Sequence, residues 1–538
     1  MPVGYMSIVL HAHLPFVKHP EYPEFLEEDW FFEAAVETYL PLLDMMERLS
    51  RGGHRFRLNM VVSPSLAAMM SDPHHQQRLR AYIEKLLRLA GNEASRLRDD
   101  SRFGPVARFY QDRLGYLLDK YVNVYHCNLI GALGNMMRTG NLELMTCAAT
   151  HGLLPVLRMH PESVRAQVRI GASEFARHFG VRPRGIWLPE CGYYEGLEEF
   201  LADEDIRYFL VDSHCLHFAN PSPAYGVHAP LFTRSGVAAF GRDAESSRQV
   251  WSAKEGYPGD PAYREFYRDV GYDRPFDEVR DYVQPNGLRK QTGLKFHRIT
   301  GDVDLSCKQA YDRTLAMRKV DEHAGNFMFN RERQIEYLAA RMGRAPIVVS
   351  PYDAELFGHW WFEGPDFLEA FFRKSAWDQN VFRMVSLGEY LDMEPVQQLG
   401  TPATGSWGDK GYFEVWVNEG NDYIPRHLFE CAESMIALAA EFPLPTPLQR
   451  RALNQCAREL LLAQSSDWPF IVTMGTMTQY AHRRVLDHVL RFSRLASQIR
   501  SGSIDEAWLG TLEYRDSIFP EIDYRVYCSA GEGPITKE

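Results

Sequence analysis

Two carboxylic acids directly follow apolar runs that are typical of buried strands. Glu190 follows the run in GIWLPECGYY, and Asp353 follows the run in APIVVSPYDAELFGHWWFEG. Two such carboxyl groups on separate strand ends suit glycoside chemistry, in which one attacks or stabilises the anomeric carbon and the other handles the leaving oxygen. Large aromatic residues follow Asp353, and the loss of hydration beside them would raise its pKa and favour a proton-donor role.

Each of these acids also has a structural interpretation. Glu190 could accept hydrogen bonds from neighbouring backbone groups, and Asp353 could cap a helix that begins directly after it. The residue types alone leave both interpretations open.

Histidines form a third group of candidates. HAHLPF places His11 and His13 just past the first apolar run, and His151 follows another run. An HxH pair can bind zinc, but the same imidazoles can hydrogen-bond to sugar hydroxyls. The spacing of the histidines is compatible with sugar binding, with metal binding and with no binding role.

Motifs for several other chemistries are missing. The sequence has no GxSxG, no GxxxxGK[ST] and no GxGxxG after a strand, which argues against serine hydrolases, kinases, ATPases and Rossmann enzymes. The eight cysteines show no CxxC spacing, so we expect buried reduced thiols rather than disulfides or a zinc cage.

The elements that must position these side chains follow from the hydrophobic pattern. Seven short apolar runs alternate with longer amphipathic stretches, which predicts a parallel sheet whose carboxyl ends meet at one rim. The runs are Met6–Leu10, Phe56–Val62, Leu142–Cys147, Gly185–Leu188, Arg207–Val211, Pro346–Ser350 and Phe382–Ser386.

Helical spacing predicts the remaining organisation. Leu26–Leu49 forms one helix in this prediction, and two charged helical segments without a strand between them, His74–Arg98 and Ala107–Tyr125, indicate an insertion. Ala224–Gly301 is irregular, aromatic and rich in Gly and Pro, and a loop of this length is usually functional. Three further helices without strands predict a helical C-terminal domain: Arg426–Ala440, Pro447–Gln464 and Thr476–Ile499.

The net charge narrows the choice of partners. The 538 residues carry 59 basic and 71 acidic side chains, a balance of −12, which repels nucleic acid and anionic membranes. The N-terminus lacks a basic region and a small-residue cleavage site, and no stretch has the roughly 18 apolar residues that span a membrane. We therefore expect a soluble, cytoplasmic protein that binds neither nucleic acid nor membrane.

Together, GIWLPECGYY and YDAELFGHWWFEG resemble glycoside hydrolase family 57, most closely those members that branch α-1,4 glucans. The likeness covers almost the whole chain. Its other landmarks, in the same order, are HAHLPF, ELMTCAATHGLLPV, VWSAKEGYPGDPAYREFYRD, SWGDKGYFEVWVNEGND, SSDWPFIVTMGTMTQYAHRR and FPEIDYRVY.

The resemblance implies an α/β fold: an incomplete (β/α)7 TIM-like barrel, a small helical insertion and an all-helical C-terminal domain that closes over the cleft. We expect the catalytic barrel, domain A, at residues 1–66 and 126–400. The insertion, domain B, would be 67–125, and the C-terminal domain, domain C, would be 401–538.

The resemblance also implies residue roles. Glu190 looks like the nucleophile and Asp353 like the general acid/base, with no metal and no cofactor. The expected substrate-binding residues are His11, His13, His151, Arg242, Asp243, Trp251, Trp360, Trp407, Trp416, Asp467 and Trp468. One departure from the family pattern is Tyr423 in GNDYIP, where a tryptophan would be expected.

The implied activity is that of a retaining transglycosylase that cleaves α-1,4 glucan and forms α-1,6 branches through a covalent glycosyl-enzyme. The substrates would be amylose, amylopectin or glycogen, and the protein would be a monomer or a weak homo-oligomer. Branching requires that water be kept from the intermediate, and we expect the aromatic stretch 224–301 and the linker 401–418 to shield it.

Three alternatives remain at this point. The first is an α-amylase or 4-α-glucanotransferase on the same scaffold. The second is a metal-dependent carbohydrate hydrolase or deacetylase that uses His11 and His13. The third is a glucan-binding protein without catalytic activity.

Overall fold

The computed structural model describes residues 2–252 and 255–529. The strands are β1 (Gly4–Ala12), β2 (Leu58–Val62), β3 (Leu142–Cys147), β4 (Gly185–Trp187), β5 (Tyr208–Val211), β6 (Leu231–Phe232), β7 (Ala238–Gly241), β8 (Ile347–Asp353), β9 (Phe382–Met384) and β10 (Gln398–Leu399).

The helices fall into three groups along the chain. Those up to β3 are α1 (Asp29–Ala34), α2 (Leu40–Arg51), α3 (Pro64–Ser71), α4 (Pro73–Arg96), α5 (Gly104–Asp119) and α6 (Leu129–Arg138). Those from β3 to β10 are α7 (Leu154–Leu157), α8 (Pro161–Phe179), α9 (Leu197–Ala202), α10 (Ser213–His217), α11 (Ala244–Trp251), α12 (Val270–Asp273), α13 (Phe276–Val279), α14 (Arg313–Met342), α15 (Gly364–Trp377) and α16 (Leu387–Met393). The last group is α17 (Tyr423–Glu441), α18 (Pro447–Ala463), α19 (Asp467–Met474), α20 (Thr478–Ser501) and α21 (Glu506–Arg515).

The sheet is an incomplete parallel barrel. Its parallel strands lie in the order β7-β5-β4-β3-β2-β1-β8, and the antiparallel β6 and then β10 extend it beyond β7. No ladder joins β7 to β8 within the described ranges, but the backbone N–H of Asp243 donates to the carbonyl of Val349 at 2.9 Å. The central strands β1, β2 and β8 are almost wholly buried, which explains why they are largely apolar.

All seven predicted runs contain strands, but one of them has a different place in the sheet. Phe382–Ser386 forms only β9, which pairs with the start of β1. The seventh parallel strand is instead β7, inside the stretch Ala224–Gly301, so the prediction that this whole stretch is irregular was wrong. Four residues flanked by glycine and loop residues give too short a pattern to be recognised as a strand.

The predicted helix Leu26–Leu49 is interrupted. Between α1 and α2 the chain makes a π-helical turn, Ala35–Tyr39. Such turns are frequent at functional sites because the extra residue redirects the side chains around it. Here Glu37 accepts hydrogen bonds from Arg264 and His359, and Tyr39 donates one to Glu355.

The C-terminal part is helical, as predicted. The three predicted helices are α17, α18 and α20, and the shorter α19 and α21 were not predicted. This part packs on the barrel: the backbone N–H of Ser466 donates to the carbonyl of His151 at 3.0 Å, and Arg484 donates to the carbonyl of Phe16 at 3.0 Å. None of the helices in the described ranges is long and apolar enough to cross a membrane.

A glycine allows the segment after β8 to approach the π-helical turn. Gly358 has φ +128°, and a Cβ atom at this position would lie 1.9 Å from the carbonyl oxygen of Glu37. Gly343 follows the last residue of α14 and has φ +64°. A Cβ atom added there would meet no other described atom within 4 Å. The first glycine is therefore required by both conformation and space, the second by conformation alone.

We expect Gly358→Ala to destabilise the protein much more than Gly343→Ala. Backbone strain at Gly343 should cost about 1 kcal/mol, whereas the added clash at Gly358 should raise the cost to about 3 kcal/mol or more. Denaturant-induced unfolding of the two variants measures the difference. Equal loss of stability would show that the close approach to Glu37 is not a packing constraint.

Candidate active site

A cavity of about 770 Å³ opens at the carboxyl ends of the barrel strands. Its walls come from the strand ends, from the segment after β10 and from α19. It is lined by eleven of the thirteen predicted site residues: His11, His13, His151, Glu190, Arg242, Trp251, Asp353, Trp360, Trp407, Trp416 and Asp467.

The structure does not bring Asp243 and Trp468 to this cavity. Asp243 is 3% exposed, and its carboxylate caps α11 through the backbone N–H of Ser246 and accepts a second bond from Gln334. Trp468 is 1% exposed, and its indole N–H donates to the carbonyl of Leu462 at 2.8 Å. Both side chains pack behind the cavity wall, and their polar atoms bond to protein groups.

Glu190 lies in a tight 3₁₀ turn, Pro189–Cys191, directly after β4, with φ +60°. This left-handed backbone is strained for a residue with a side chain. The carboxylate accepts one bond from the indole N–H of Trp407 and one from the hydroxyl of Ser466, each at 2.8 Å. Its partners are therefore side chains from distant segments and not the neighbouring backbone. Burial raises the pKa of Glu190, and these two hydrogen bonds oppose the rise.

Asp353 is the last residue of β8 and has a different environment. Its carboxylate receives no hydrogen bond from the described part of the chain, and it does not cap the short 3₁₀ helix that follows. Burial raises the pKa of Asp353 well above its usual range, and the negative charges of Glu355 and Glu190 add to the rise. The shift has the direction that the aromatic surroundings of Asp353 predict, towards the proton-donor form.

The histidines form a hydrogen-bonded row that leads to Glu190. Nε2 of His11 lies 3.0 Å from Nε2 of His151, and Nδ1 of His151 lies 2.8 Å from the hydroxyl of Ser466. Because Ser466 gives its single hydroxyl proton to Glu190, Nδ1 of His151 must be the donor and its Nε2 must accept from His11. Burial lowers the pKa of both histidines well below 6.5, so both are neutral.

His13 belongs to an ion pair beside this row. Its Nε2 lies 3.0 Å from Oδ2 of Asp467. Burial alone would lower the pKa of His13, but the charge and hydrogen bond of Asp467, together with the charges of Glu190 and Glu355, raise it. The same contact holds the pKa of Asp467 at about 2 against the effect of burial. A fixed positive and negative charge therefore face the cavity together.

Among the residues that the structure describes, two groups of side chains have the geometry to hold a metal ion. His13, His151 and Asp467 have ligand atoms within 4.8 Å of one another, and so do three buried residues of the C-terminal helices: Glu459, His488 and Asp516. In the first group the atoms that would bind the ion are already paired with protein groups. A metal ion bound here would have to break these contacts.

Aromatic rings form flat walls. Trp360 is 56% exposed and stacks on Phe266 with ring centroids 4.5 Å apart and an angle of 16°. The guanidinium of Arg242 lies 5.8 Å from the ring centroid of Trp407. Flat apolar faces next to hydrogen-bonding groups suit a sugar ring. Tyr423, the departure noted in the sequence, packs on His482 and does not line the cavity.

Several lining residues were missed by sequence analysis. Glu355 accepts from Tyr39 and from the backbone N–H of His13, and burial raises its pKa to about 7. Burial also raises the pKa of Glu33, which lines the wall from α1, to about 8. Glu355 stands two residues after Asp353, so the strand-end argument could have included it. Nothing in the sequence separates Glu33 from an ordinary helix residue.

The fold and the acidic strand ends define an α/β-barrel protein of the glycosyl hydrolase class. The family model described as "Glycosyl hydrolase family 57" matches residues 7–401, and the model "1,4-alpha-glucan branching enzyme, C-terminal" matches residues 427–527. The chain belongs to glycosyl hydrolase family 57.

Individual relatives agree with this assignment. The chain is 34% identical to the 1,4-alpha-glucan branching enzyme TK1436 of Thermococcus kodakarensis, over 98% of the chain and 79% of the relative. Among solved structures, the alpha-amylase AmyC of Thermotoga maritima is 46% identical, with a TM-score of 0.92 and coverage of 98% and 99%. The GH57-type branching enzyme of Pyrococcus horikoshii is 31% identical, with a TM-score of 0.88 and coverage of 99% and 98%.

We expect Ser466→Ala to raise the pKa of Glu190 further. The variant loses a hydrogen bond that stabilises the charged carboxylate, and a bond to a charged group is worth about 1.5–3 kcal/mol. A pH titration followed by ¹³C NMR of labelled glutamate measures the change, with Glu190→Gln to assign the signal. Ser306→Ala, at an exposed serine that bonds to Asp304, is the control. An unchanged titration in Ser466→Ala would show that this contact does not stabilise the anion.

Proposed function

We propose that this protein is a 1,4-α-glucan branching enzyme with a retaining mechanism. It cleaves an α-1,4 bond of amylose, amylopectin or glycogen and transfers the released chain to a 6-hydroxyl group. Glu190 is the nucleophile and Asp353 is the general acid/base in this proposal.

The observation that carries the proposal is the difference between the two carboxyl groups in one cavity. Glu190 has two hydrogen-bond donors that favour its ionised form, whereas Asp353 has none among the described residues and lies half-buried near two other acids. Retaining glycosidases need this division: one carboxylate to attack and one carboxylic acid to protonate the leaving oxygen.

The steps follow from these protonation states. Glu190 attacks C1 and forms a glycosyl ester while Asp353 gives its proton to the departing oxygen. Asp353 then takes the proton of the acceptor 6-hydroxyl, whose oxygen attacks C1 and releases Glu190. The neutral His11 and His151 line the site without adding charge, and the carboxylate of Asp467 can accept a hydrogen bond from a sugar hydroxyl.

Transfer competes with hydrolysis, so the walls must keep water from the ester. Trp407 and Trp416 come from the segment after β10, and Trp251 comes from the end of α11. These are the two segments that the sequence predicts as the shield. Trp407 would act twice, since it closes the wall and also donates to Glu190.

Hydrolysis of α-1,4 glucan is the second candidate function. The 46% identity to the Thermotoga maritima alpha-amylase favours it, and the same two carboxyl groups would serve both reactions. The C-terminal branching-enzyme model and the Thermococcus kodakarensis relative favour branching. Glycogen as the cellular product, the domain boundaries, the cytoplasmic location and the monomeric or weakly associated state stay predictions.

Linkage counting after incubation with amylose tests the proposal. We expect ¹H NMR to show new α-1,6 linkages with few new reducing ends, because the ester reacts with a sugar hydroxyl before water reaches it. Glu190→Gln should abolish both signals, whereas Glu336→Gln, at a partly exposed glutamate of α14 outside the cavity, should leave them unchanged.

Three outcomes would contradict the proposal. Reducing ends that rise without α-1,6 linkages would make the protein an α-amylase. Amylose that binds but is never modified would make it a glucan-binding protein, and turnover by Glu190→Gln would remove that residue as the nucleophile.

A further inference from the structure

Glu33 of α1 lines the active-site cavity, but the proposed mechanism gives it no role. Its side chain is half-buried and has neither a hydrogen bond nor an ion pair with any residue in 2–252 and 255–529. Carboxyl groups that are partly removed from water normally have a polar partner. Because Glu33 faces the cavity, we looked for its partner in the substrate that enters there.

The other carboxyl groups of the cavity that have no catalytic role differ from Glu33. Glu355 accepts hydrogen bonds from a tyrosine hydroxyl and from the backbone N–H of His13. Asp467 pairs with the imidazole of His13 at 3.0 Å. Asp409 has no such bond within the described residues, but it is exposed and water solvates it. Glu33 is therefore the half-buried acid of this wall that the protein leaves unpartnered.

The charges around Glu33 are paired with one another. Asp29 pairs with Lys290 at 2.6 Å, and Glu37 pairs with an arginine at 2.6 Å and a histidine at 2.8 Å. Lys295 donates to a backbone carbonyl and to a glutamine side chain. Burial raises the pKa of Glu33 to about 8; Asp29 and Glu37 add to the rise, and the two lysines oppose it without forming an ion pair with Glu33. In its acid form the group can donate to a hydroxyl as well as accept from one.

Glu33 lies on the Asp353 side of the cavity. α1 leads directly into the π-helical turn, where Glu37 bonds to Nδ1 of His359 at 2.8 Å. His359 belongs to the segment that follows Asp353 and lines the same cavity. In a retaining transfer the acid/base first protonates the departing chain and then activates the acceptor, so both bind on its side of the broken bond.

Two tryptophans of this wall offer flat faces. Trp30 lies on α1, three residues before Glu33, and Trp360 directly follows His359. Trp360 is exposed on one face and stacks on Phe266 with the other. A glucose unit has an apolar face that stacks on such a ring, and its hydroxyl groups point outward from the edge of the sugar. A free carboxyl group beside an exposed ring is therefore suited to bind one glucose unit.

We propose that Glu33 binds the acceptor glucan, with its carboxyl oxygens hydrogen-bonded to hydroxyl groups of a glucose unit that stacks on Trp360. This inference rests on the proposed branching function and makes Glu33 a residue that selects a sugar over water as the acceptor. A bound glucose unit gives its chain a fixed orientation towards the ester, whereas water gains nothing from the ring or the second hydrogen bond.

A glycosyl fluoride donor separates the two halves of the reaction and tests the proposal. With α-maltoheptaosyl fluoride, Glu190 forms the ester at C1 and fluoride leaves, so the first turnover of fluoride release needs no acceptor. Added amylose then supplies the 6-hydroxyl group that attacks C1, gives its proton to Asp353 and frees Glu190. We expect Glu33→Gln to release fluoride at the unmodified rate but to need about tenfold more amylose for half-maximal formation of α-1,6 linkages.

Glu332→Gln is the matched control. Glu332 is a half-buried glutamate of α14 that lies outside the cavity and also has no hydrogen bond or ion pair with the described residues. This variant loses the same charge at a site that touches no substrate. Its fluoride release and its amylose requirement should both equal those of the unmodified protein.

Deoxygenated acceptors separate a direct contact from a change in structure. The acceptors are maltooligosaccharides in which the 2- or the 3-hydroxyl groups are replaced by hydrogen. Loss of the hydroxyl that Glu33 binds should raise the acceptor concentration needed by the unmodified protein but not that needed by Glu33→Gln. Equal losses in the two proteins at both positions would show that Glu33 makes no hydrogen bond to the acceptor.

The remaining results separate this inference from the proposed function. An unchanged amylose requirement in Glu33→Gln would overturn the inference alone, and slower fluoride release by this variant would place the residue at the transferred chain instead. Absence of fluoride release or of α-1,6 linkages with the unmodified protein would refute the proposed function, and the inference with it.

Discussion

The site depends on how the carboxylate of Glu190 is held. A buried anion is costly unless it is hydrogen-bonded, and this one receives its two bonds from Trp407 and Ser466. Neither donor belongs to the strand that carries Glu190: one lies in the segment after β10 and the other just before α19. Both hydrogen bonds form only when the barrel, the linker and the C-terminal helices have come together, so the C-terminal part completes the site.

On the other side of the cavity, Asp353 lacks, in the described part of the chain, the hydrogen-bond donors that Glu190 has. Asp353 is half-buried without a hydrogen bond from the described residues, and the neighbouring Glu355 is held by Tyr39 of the π-helical turn. The π-helical turn places Tyr39 on Glu355 and Glu37 on His359, and Gly358 allows this close approach. One stretch of chain thus fixes the loop that follows Asp353, and different parts of the fold give the two carboxyl groups different hydrogen-bond environments.

Sequence alone predicts what depends on local pattern. Buried parallel strands are apolar on both faces, so their runs are visible, and their carboxyl ends converge, which is why Glu190, Asp353 and His151 were expected at one rim. Sequence patterns miss short strands and side chains whose roles depend on contacts with distant parts of the chain. β7 was missed because four residues show no period, and Ser466 was missed because its role exists only through contacts with Glu190 and His151.

Two residues were predicted to bind the substrate, but their side chains lie behind the cavity wall. Asp243 and Trp468 adjoin Arg242 and Asp467, which do line the cavity, but successive residues of a helix start point in different directions. Their polar atoms are used by Ser246, Gln334 and Leu462. Proximity in sequence therefore identified the right segments without identifying which side chain of each faces the cavity.

Trapping of the covalent intermediate tests the central claim most directly. The protein is incubated with 5-fluoro-α-glucosyl fluoride, digested and mapped by mass spectrometry. The account predicts a single fluoroglucosyl ester on Glu190, which is absent from Glu190→Gln. An ester on Asp353 or Glu355, or amylose turnover that this reagent does not inhibit, would contradict it.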